Sequence, residues 1–193
     1  MNFSETPLGG VFLIDPELRC DDRGFFARTW CAHEFAAQGL TAHFAQCSAS
    51  FNAAAGTLRG LHYQSPPHAE AKLVRCTRGA VYDVVVDLRP RSPTLHDWFA
   101  IELSALNLRM VYLPAGCAHG FLTLADETEV FYQMSETYQP AASLGVRWND
   151  PAIGIRWPRS VRVISERDAA LPLLAESCAT QSASRAHSLE TPA

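Results

Sequence analysis

The chain has 193 residues, 48% of them hydrophobic and 19% charged, with a formal net charge of −4. That composition suits one globular domain with a sizeable core. It excludes a basic nucleic-acid footprint, and no apolar run approaches the roughly 20 residues that cross a bilayer.

The opening stretch, MNFSETPLGGVFLIDPELRC, has no basic start followed by a long apolar run, so no signal peptide is expected. Cys20, Cys31, Cys47, Cys76, Cys117 and Cys178 are widely spaced with no CxxC pair. This argues against a zinc or redox motif and for free thiols in a cytoplasmic protein. The segment Gly10–Ile14 is β-rich and is expected to pair across subunits. Residues 31–40, CAHEFAAQGL, predict a short helix, favoured by Ala, Glu and Gln and ended by Gly39.

Beyond it the texture becomes β-rich. Strands are predicted at Thr57–Gln64, Lys72–Thr77, Ala80–Leu88, Trp98–Ser104, Arg109–Leu113, Gly120–Leu124 and Thr128–Met134. Turn signals separate them, among them Ser65-Pro66-Pro67, Arg78-Gly79 and Asn107. This spacing predicts an all-β sandwich or barrel. Strand–helix alternation and a GxGxxG fingerprint are both missing, which disfavours a dinucleotide-binding fold. The polar end is read as a disordered tail over 179–193, leaving one domain over 1–178. His187 falls in that tail and carries no chemistry.

His62, in RGLHYQ, reads either as a satisfied core histidine or as an acid–base group. Arg59 and Lys72 favour the second reading. They should lie on neighbouring strands, where two cations beside an imidazole suit a diphosphate or a developing oxyanion. Arg59 alone would equally fit a surface ion pair. Strict alternation puts Arg59 and His62 on opposite faces, but Gly60 between them permits a bulge that re-aims one.

His119 lies in PAGCAHGF, where Pro114, Gly116 and His119 match the PxGxxH signature of cupins. Metal-binding cupins add an HxH pair, and here that stretch is His62-Tyr63-Gln64. A metal would therefore be poorly satisfied, and none is expected. Asp83, polar in an apolar strand, reads as a partner orienting a histidine or as a structural hydrogen bond. Tyr132 shares parity with Val130 and Met134 and should face their core; inside a barrel it is also a proton donor. Asp168 alone reads as a surface acid or a helix cap.

Several ordered segments together resemble the dTDP-4-dehydrorhamnose 3,5-epimerase family. They include DDRGFF (21–26), GTLRGLHYQSPP (56–67), AKLVRCTRGAVYDVVVDLRPRSPT (71–94), LSALNLRMVYLPAGCAHGF (103–121), EVFYQMSETYQP (129–140), RWNDPAIGIRWP (147–158) and ISERD (164–168). The resemblance implies a cupin-like jelly-roll barrel with a few short helices, a homodimer, and a nucleotide-sugar substrate held inside the barrel. It implies His62 as general base, Asp168 as the acid orienting it, Tyr132 as proton donor and Lys72 as the cation near the sugar's C4 oxygen. Arg23, Phe26, Gln46, Arg59, His119 and Tyr138 match substrate-binding positions, with Arg23 toward the diphosphate.

The chemistry is consistent with that assignment. A C4 ketone acidifies the hydrogens on C3 and C5 through an enolate, so inversion needs a base, an oxyanion stabiliser and an acid on the other face. The ketone is already in the substrate, so neither nicotinamide nor metal is required. Two positions depart from the family pattern: Arg28 stands where Glu is usual and Ser48 where Asn is usual. Both lie toward the nucleotide and sugar ends, and they predict a nucleotide preference other than strictly dTDP; the exact sugar, and whether C3, C5 or both are inverted, stay open in what the resemblance implies. Competing readings are a sugar-nucleotide ketoisomerase, a metal-dependent cupin enzyme and a catalytically silent sugar-nucleotide binder.

Overall fold

Period-two alternation decides which side of each strand faces inward. In the computed structural model, which describes residues 1–176, the alternation builds two antiparallel sheets that face one another. The strands are β1 (Asn2–Glu5), β2 (Phe12–Asp15), β3 (Leu18–Asp21), β4 (Gly24–Ala27), β5 (Gln46–Asn52), β6 (Thr57–Gln64) and β7 (Lys72–Arg78). They continue as β8 (Ala80–Asp87), β9 (Trp98–Ser104), β10 (Met110–Leu113), β11 (Cys117–Thr123), β12 (Thr128–Met134), β13 (Ser143–Gly145) and β14 (Val163–Ile164). Helix α1 spans Ala32–Ala37 and α2 spans Glu166–Ala169. One sheet has the order β1-β2-β10-β7-β12-β5 and the other β13-β6-β11-β8-β9, with β14 added parallel to β6. This is the expected all-β, cupin-like jelly roll.

The core between the sheets draws on both. Val74, Val111 and Val130 from the first meet Val81, Val85, Leu103 and Phe121 from the second. The outer face of the first sheet is closed by α1, whose Phe35 is fully buried against Leu73, Met110 and Tyr112. The outer face of the second is closed by the chain beyond β13, through Val146, Ile153 and Leu174. Burying an aliphatic side chain of this size contributes about 1.5–3 kcal/mol.

The seven predicted strands are all present, within a few residues at their ends, and the predicted helix covers Ala32–Ala37 with Gly39 at φ +70° just beyond. Two expectations are corrected. The segment around Gly10–Ile14 does not have a free edge for another subunit, because β2 pairs with β1 on one side and β10 on the other. Arg59 and Lys72 are not on neighbouring strands: β6 and β7 belong to opposite sheets, since the Ser65-Pro66-Pro67 connection crosses between them. The expected tail over 179–193, with His187, and Cys178 just before it lie outside the described residues. The cysteines at 20, 31, 47, 76 and 117 are free. Among the described residues no helix is long and apolar enough to cross a membrane.

Candidate active site

A cleft of about 320 Å³ opens between the sheets and is lined by groups from both. From one side come Arg59 and His62 on β6 and His119 on β11; from the other come Ser50 on β5, Lys72 on β7 and Tyr132 on β12. Asp168, with Ser165 and Arg167, enters from the α2 segment.

The bulge expected at Gly60 is what brings Arg59 and His62 to one cleft. His119 pairs with His62 and Phe121 with Arg59, so β6 advances three residues while β11 advances two. The extra residue turns Arg59 onto the side His62 occupies. Only glycine fits there. Gly60 has φ +123°, and a Cβ on it would lie 2.6 Å from the Gly120 Cα and 2.9 Å from the His119 carbonyl oxygen. Gly120 answers in kind, its Cβ position lying 2.7 Å from the Arg59 carbonyl oxygen.

His62 Nε2 lies 2.7 Å from Asp168 Oδ1, and the Gly60 N–H donates to Asp168 Oδ2 at 3.1 Å. An ionised carboxylate only accepts, so the neutral imidazole carries its hydrogen on Nε2 and keeps the Nδ1 lone pair as a base. Burial of Asp168 raises its pKa, but the His62 bond and charge, the Gly60 N–H and the Ser165 hydroxyl outweigh burial and leave it lowered. Asp168 is 5% exposed, so its carboxylate meets the imidazole in a poorly solvated setting.

His119 Nε2 lies 3.0 and 2.9 Å from the two Asp83 oxygens, and both residues are buried. Asp83 thus orients His119, and the His119 ring stands edge-on to Tyr132 with centroids 6.2 Å apart. Tyr132 shares its inward face with Val130, as its parity predicts. Its hydroxyl bonds to the Ser50 hydroxyl at 3.1 Å. Burial drives the phenol's pKa well above the ordinary tyrosine value, and the Ser50 bond lowers it only in part.

Lys72 Nζ pairs with Glu70 Oε1 at 3.0 Å, and both side chains are largely shielded. Glu70 also accepts from Gln64 Nε2 at 3.2 Å, which in turn reaches the Thr137 carbonyl. Arg59 donates to Asn52 Oδ1 at 2.8 Å and to the Phe51 carbonyl at 3.3 Å. Gln46 Oε1 accepts from the Tyr138 N–H at 2.9 Å, placing those two residues together beyond the end of β12. The Tyr138 hydroxyl interacts with Ser143 and Arg167, which lower its pKa.

Four expected contacts are not in the lining of this cleft: Gln46 and Tyr138, which pair with each other beyond it, and Arg23 and Phe26. Arg23 sits in the turn of the β3–β4 hairpin, its side chain 89% exposed and paired with Asp21. Phe26 lies on β4, 69% exposed. Arg28 is engaged by Glu34 at 3.0 Å outside the cleft, whereas Ser48 lies directly opposite Tyr132 in the β5–β12 ladder. Sequence reasoning missed Ser50, Glu70 and Arg167. The first two had only a strand position or a spacing of two from Lys72 to mark them, but Arg167 stands beside Asp168 and was there to be noticed.

Among the described residues no three of His, Cys, Asp or Glu gather as metal ligands. The two histidines are each taken up by a separate carboxylate. The fold and site therefore define a barrel whose cleft sets an imidazole held by a carboxylate against a phenol on the facing sheet, with Arg59, Lys72 and Arg167 also in its lining, a set of groups able to exchange protons with a bound molecule.

Comparison with known proteins makes the class specific. The family model for dTDP-4-dehydrorhamnose 3,5-epimerase matches residues 5–176, and the chain belongs to that family. It is 42% identical over 177 residues to the dTDP-4-dehydrorhamnose 3,5-epimerase of Sinorhizobium fredii, covering 91% of each chain. It is 43% identical to the dTDP-4-dehydrorhamnose 3-epimerase of Streptomyces niveus, covering 88% of this chain and 83% of that one. Among solved structures, the 3,5-epimerase from Bacillus anthracis with TDP and PPi bound superposes with a TM-score of 0.87 at 43% identity. It covers 90% of this chain and 99% of that chain. The protein is accordingly an isomerase of the epimerase class, acting in deoxysugar biosynthesis.

Proposed function

We propose that the chain inverts C3 and C5 of a dTDP-4-keto-6-deoxyhexose without a metal, through an enolate; dTDP, the nucleotide in the relatives' names, is preferred here over the altered preference expected from Arg28 and Ser48. The observation that carries the reading is the placement of the Asp168-oriented His62 and of Tyr132 on opposite sheets of one cleft. A base and an acid facing each other across the sugar ring are what inversion requires, because the returning proton must arrive on the other face. His62 Nδ1 removes the hydrogen beside the ketone, and charge moves onto the C4 oxygen. Lys72, largely shielded beside Glu70, stabilises that oxyanion. Tyr132 delivers the new proton. Both C3 and C5 flank the ketone, so one set of groups serves each carbon in turn if the ring shifts between steps.

Arg59, Arg167 and His119 supply positive charge or donors for the diphosphate and sugar, and Gln46 with Tyr138 forms the nucleotide end. Arg23 and Phe26 project from an exposed hairpin, and as substrate contacts they serve the cleft of a second copy in a homodimer. The exposed Phe25, Phe26 and Phe51 supply apolar surface for that association.

The test is incubation with dTDP-4-keto-6-deoxyglucose in heavy water, followed by proton NMR. Deuterium entry and inversion at C3 and C5 are expected. A product with its carbonyl moved to another carbon would instead favour a ketoisomerase.

A further inference from the structure

Each inversion leaves the two proton carriers in the wrong state for the next one. His62 has gained a proton and Tyr132 has lost one. His62 is 34% exposed at its side chain and can release its proton to water. The Tyr132 oxygen has a harder task, because it sits where burial strongly disfavours the phenolate. Its recharging needs a donor already in contact.

Among the described residues, the hydroxyl in hydrogen-bond contact with Tyr132 is that of Ser50. Ser50 is half-buried on β5, the edge strand of its sheet, and lines the cleft. It therefore touches the phenol on one side and the open cleft on the other. A serine hydroxyl can donate and accept at once. When it donates to the phenol oxygen, the Tyr132 hydrogen is left free to point toward the sugar.

Resting on the epimerase reading above, we infer that Ser50 is a positioning residue that aims the Tyr132 hydroxyl at the enolate and relays a solvent proton back to it. In the step, the substrate C–H bond forms as the Tyr132 O–H bond breaks. The phenolate oxygen then takes the Ser50 proton while Ser50 takes one from a water in the cleft. The hydroxide so formed is neutralised by the proton His62 releases, and the cycle closes with no net consumption.

The experiment compares wild type, Ser50→Ala, Ser50→Thr and Tyr132→Phe with dTDP-4-keto-6-deoxyglucose in heavy water, following deuterium entry and inversion separately. Ser50→Ala is expected to invert about tenfold more slowly, the value of one hydrogen bond in a rate. Deuterium should still enter with configuration retained, near the wild-type rate, with KM unchanged. Ser50→Thr keeps the hydroxyl and should recover inversion. In a Tyr132→Phe background, Ser50→Ala should have no additional effect.

Inversion at the wild-type rate in Ser50→Ala, or parallel loss of exchange and inversion, would overturn the proposal. So would a Thr variant no faster than the Ala one. Failure of the underlying reading looks different: Tyr132→Phe would itself invert normally, or wild type would exchange no hydrogen at all.

Discussion

The geometry around Asp168 makes one substitution unusually informative. In Asp168→Asn the side chain keeps its shape but acquires a donor. The Gly60 N–H points at the Oδ2 position and requires an oxygen there. The amide oxygen must take that place, which turns the NH2 group toward His62 Nε2. Nε2 then has to accept, the imidazole hydrogen moves to Nδ1, and the Nδ1 lone pair proposed to take the substrate's proton is lost. The charge-assisted bond at 2.7 Å goes as well, and bonds to charged groups contribute about 1.5–3 kcal/mol. At 1.36 kcal/mol per decade that loss alone is about 10–100-fold, and removing a correctly protonated base brings the total to about 10²–10⁴-fold. The assay is solvent deuterium entry at C3 and C5. Exchange and inversion should fall together, since both begin with proton removal, while His62→Ala abolishes them. A variant exchanging within about threefold of wild type would refute the tautomer argument, because a base contributes far more than that.

Tyr132→Phe should show the opposite pattern: deuterium enters with configuration retained while the epimer forms about 10²–10⁴-fold more slowly, as NMR of the same reaction will report. Gly60→Ala places a methyl against the Gly120 Cα in a backbone region that alanine rarely adopts. Its expected cost is about 3 kcal/mol, with His62 displaced, measurable by denaturant unfolding and by loss of exchange. Asp87 is fully buried and accepts from Arg89, Ser92 and Thr94. Burial alone would raise its pKa, but these bonds hold it far below the usual carboxylate range. Its stabilisation is therefore complete above the unfolded value of about 3.9 and is lost as pH falls from there. Asp87→Asn should cost about 2–4 kcal/mol near neutral pH, discounted for the partly solvated Arg89, and flatten the acid limb of a stability-versus-pH curve.

The strands on either side of tight turns were legible because alternation and Gly or Pro punctuation act locally. The pieces that escaped either lack an apolar period or depend on a distant partner. β1 and β3 are short, polar and largely exposed, so no apolar period marks them. β14 has two residues and exists because β6 offers an edge. The chemistry-bearing side chains were visible as types, and the Gly60 bulge could be argued from a conflict of parity. Pairing was another matter. That His119 goes with Asp83 and His62 with Asp168 follows from sheet register and from a docked segment, neither of which spacing reveals. The neighbour assigned to Arg59 was wrong for the same reason: adjacency in sequence says nothing about which sheet a crossing chain will join.

His62 and Asp168, the proposed base and its orienting acid, stand 106 residues apart in the chain. As translation proceeds, every strand from β1 to β13 leaves the ribosome before Asp168 does. Long-range closures of this kind are slow relative to local pairing. The barrel can therefore be assembled around an imidazole that is free to hold its hydrogen on either nitrogen. It becomes competent when β14 clips onto β6 in parallel register, Val163 beside Thr57, and carries α2 into place. Appearance of proton-exchange activity during refolding is thus a clock for the last docking event and should lag the formation of β-sheet signal.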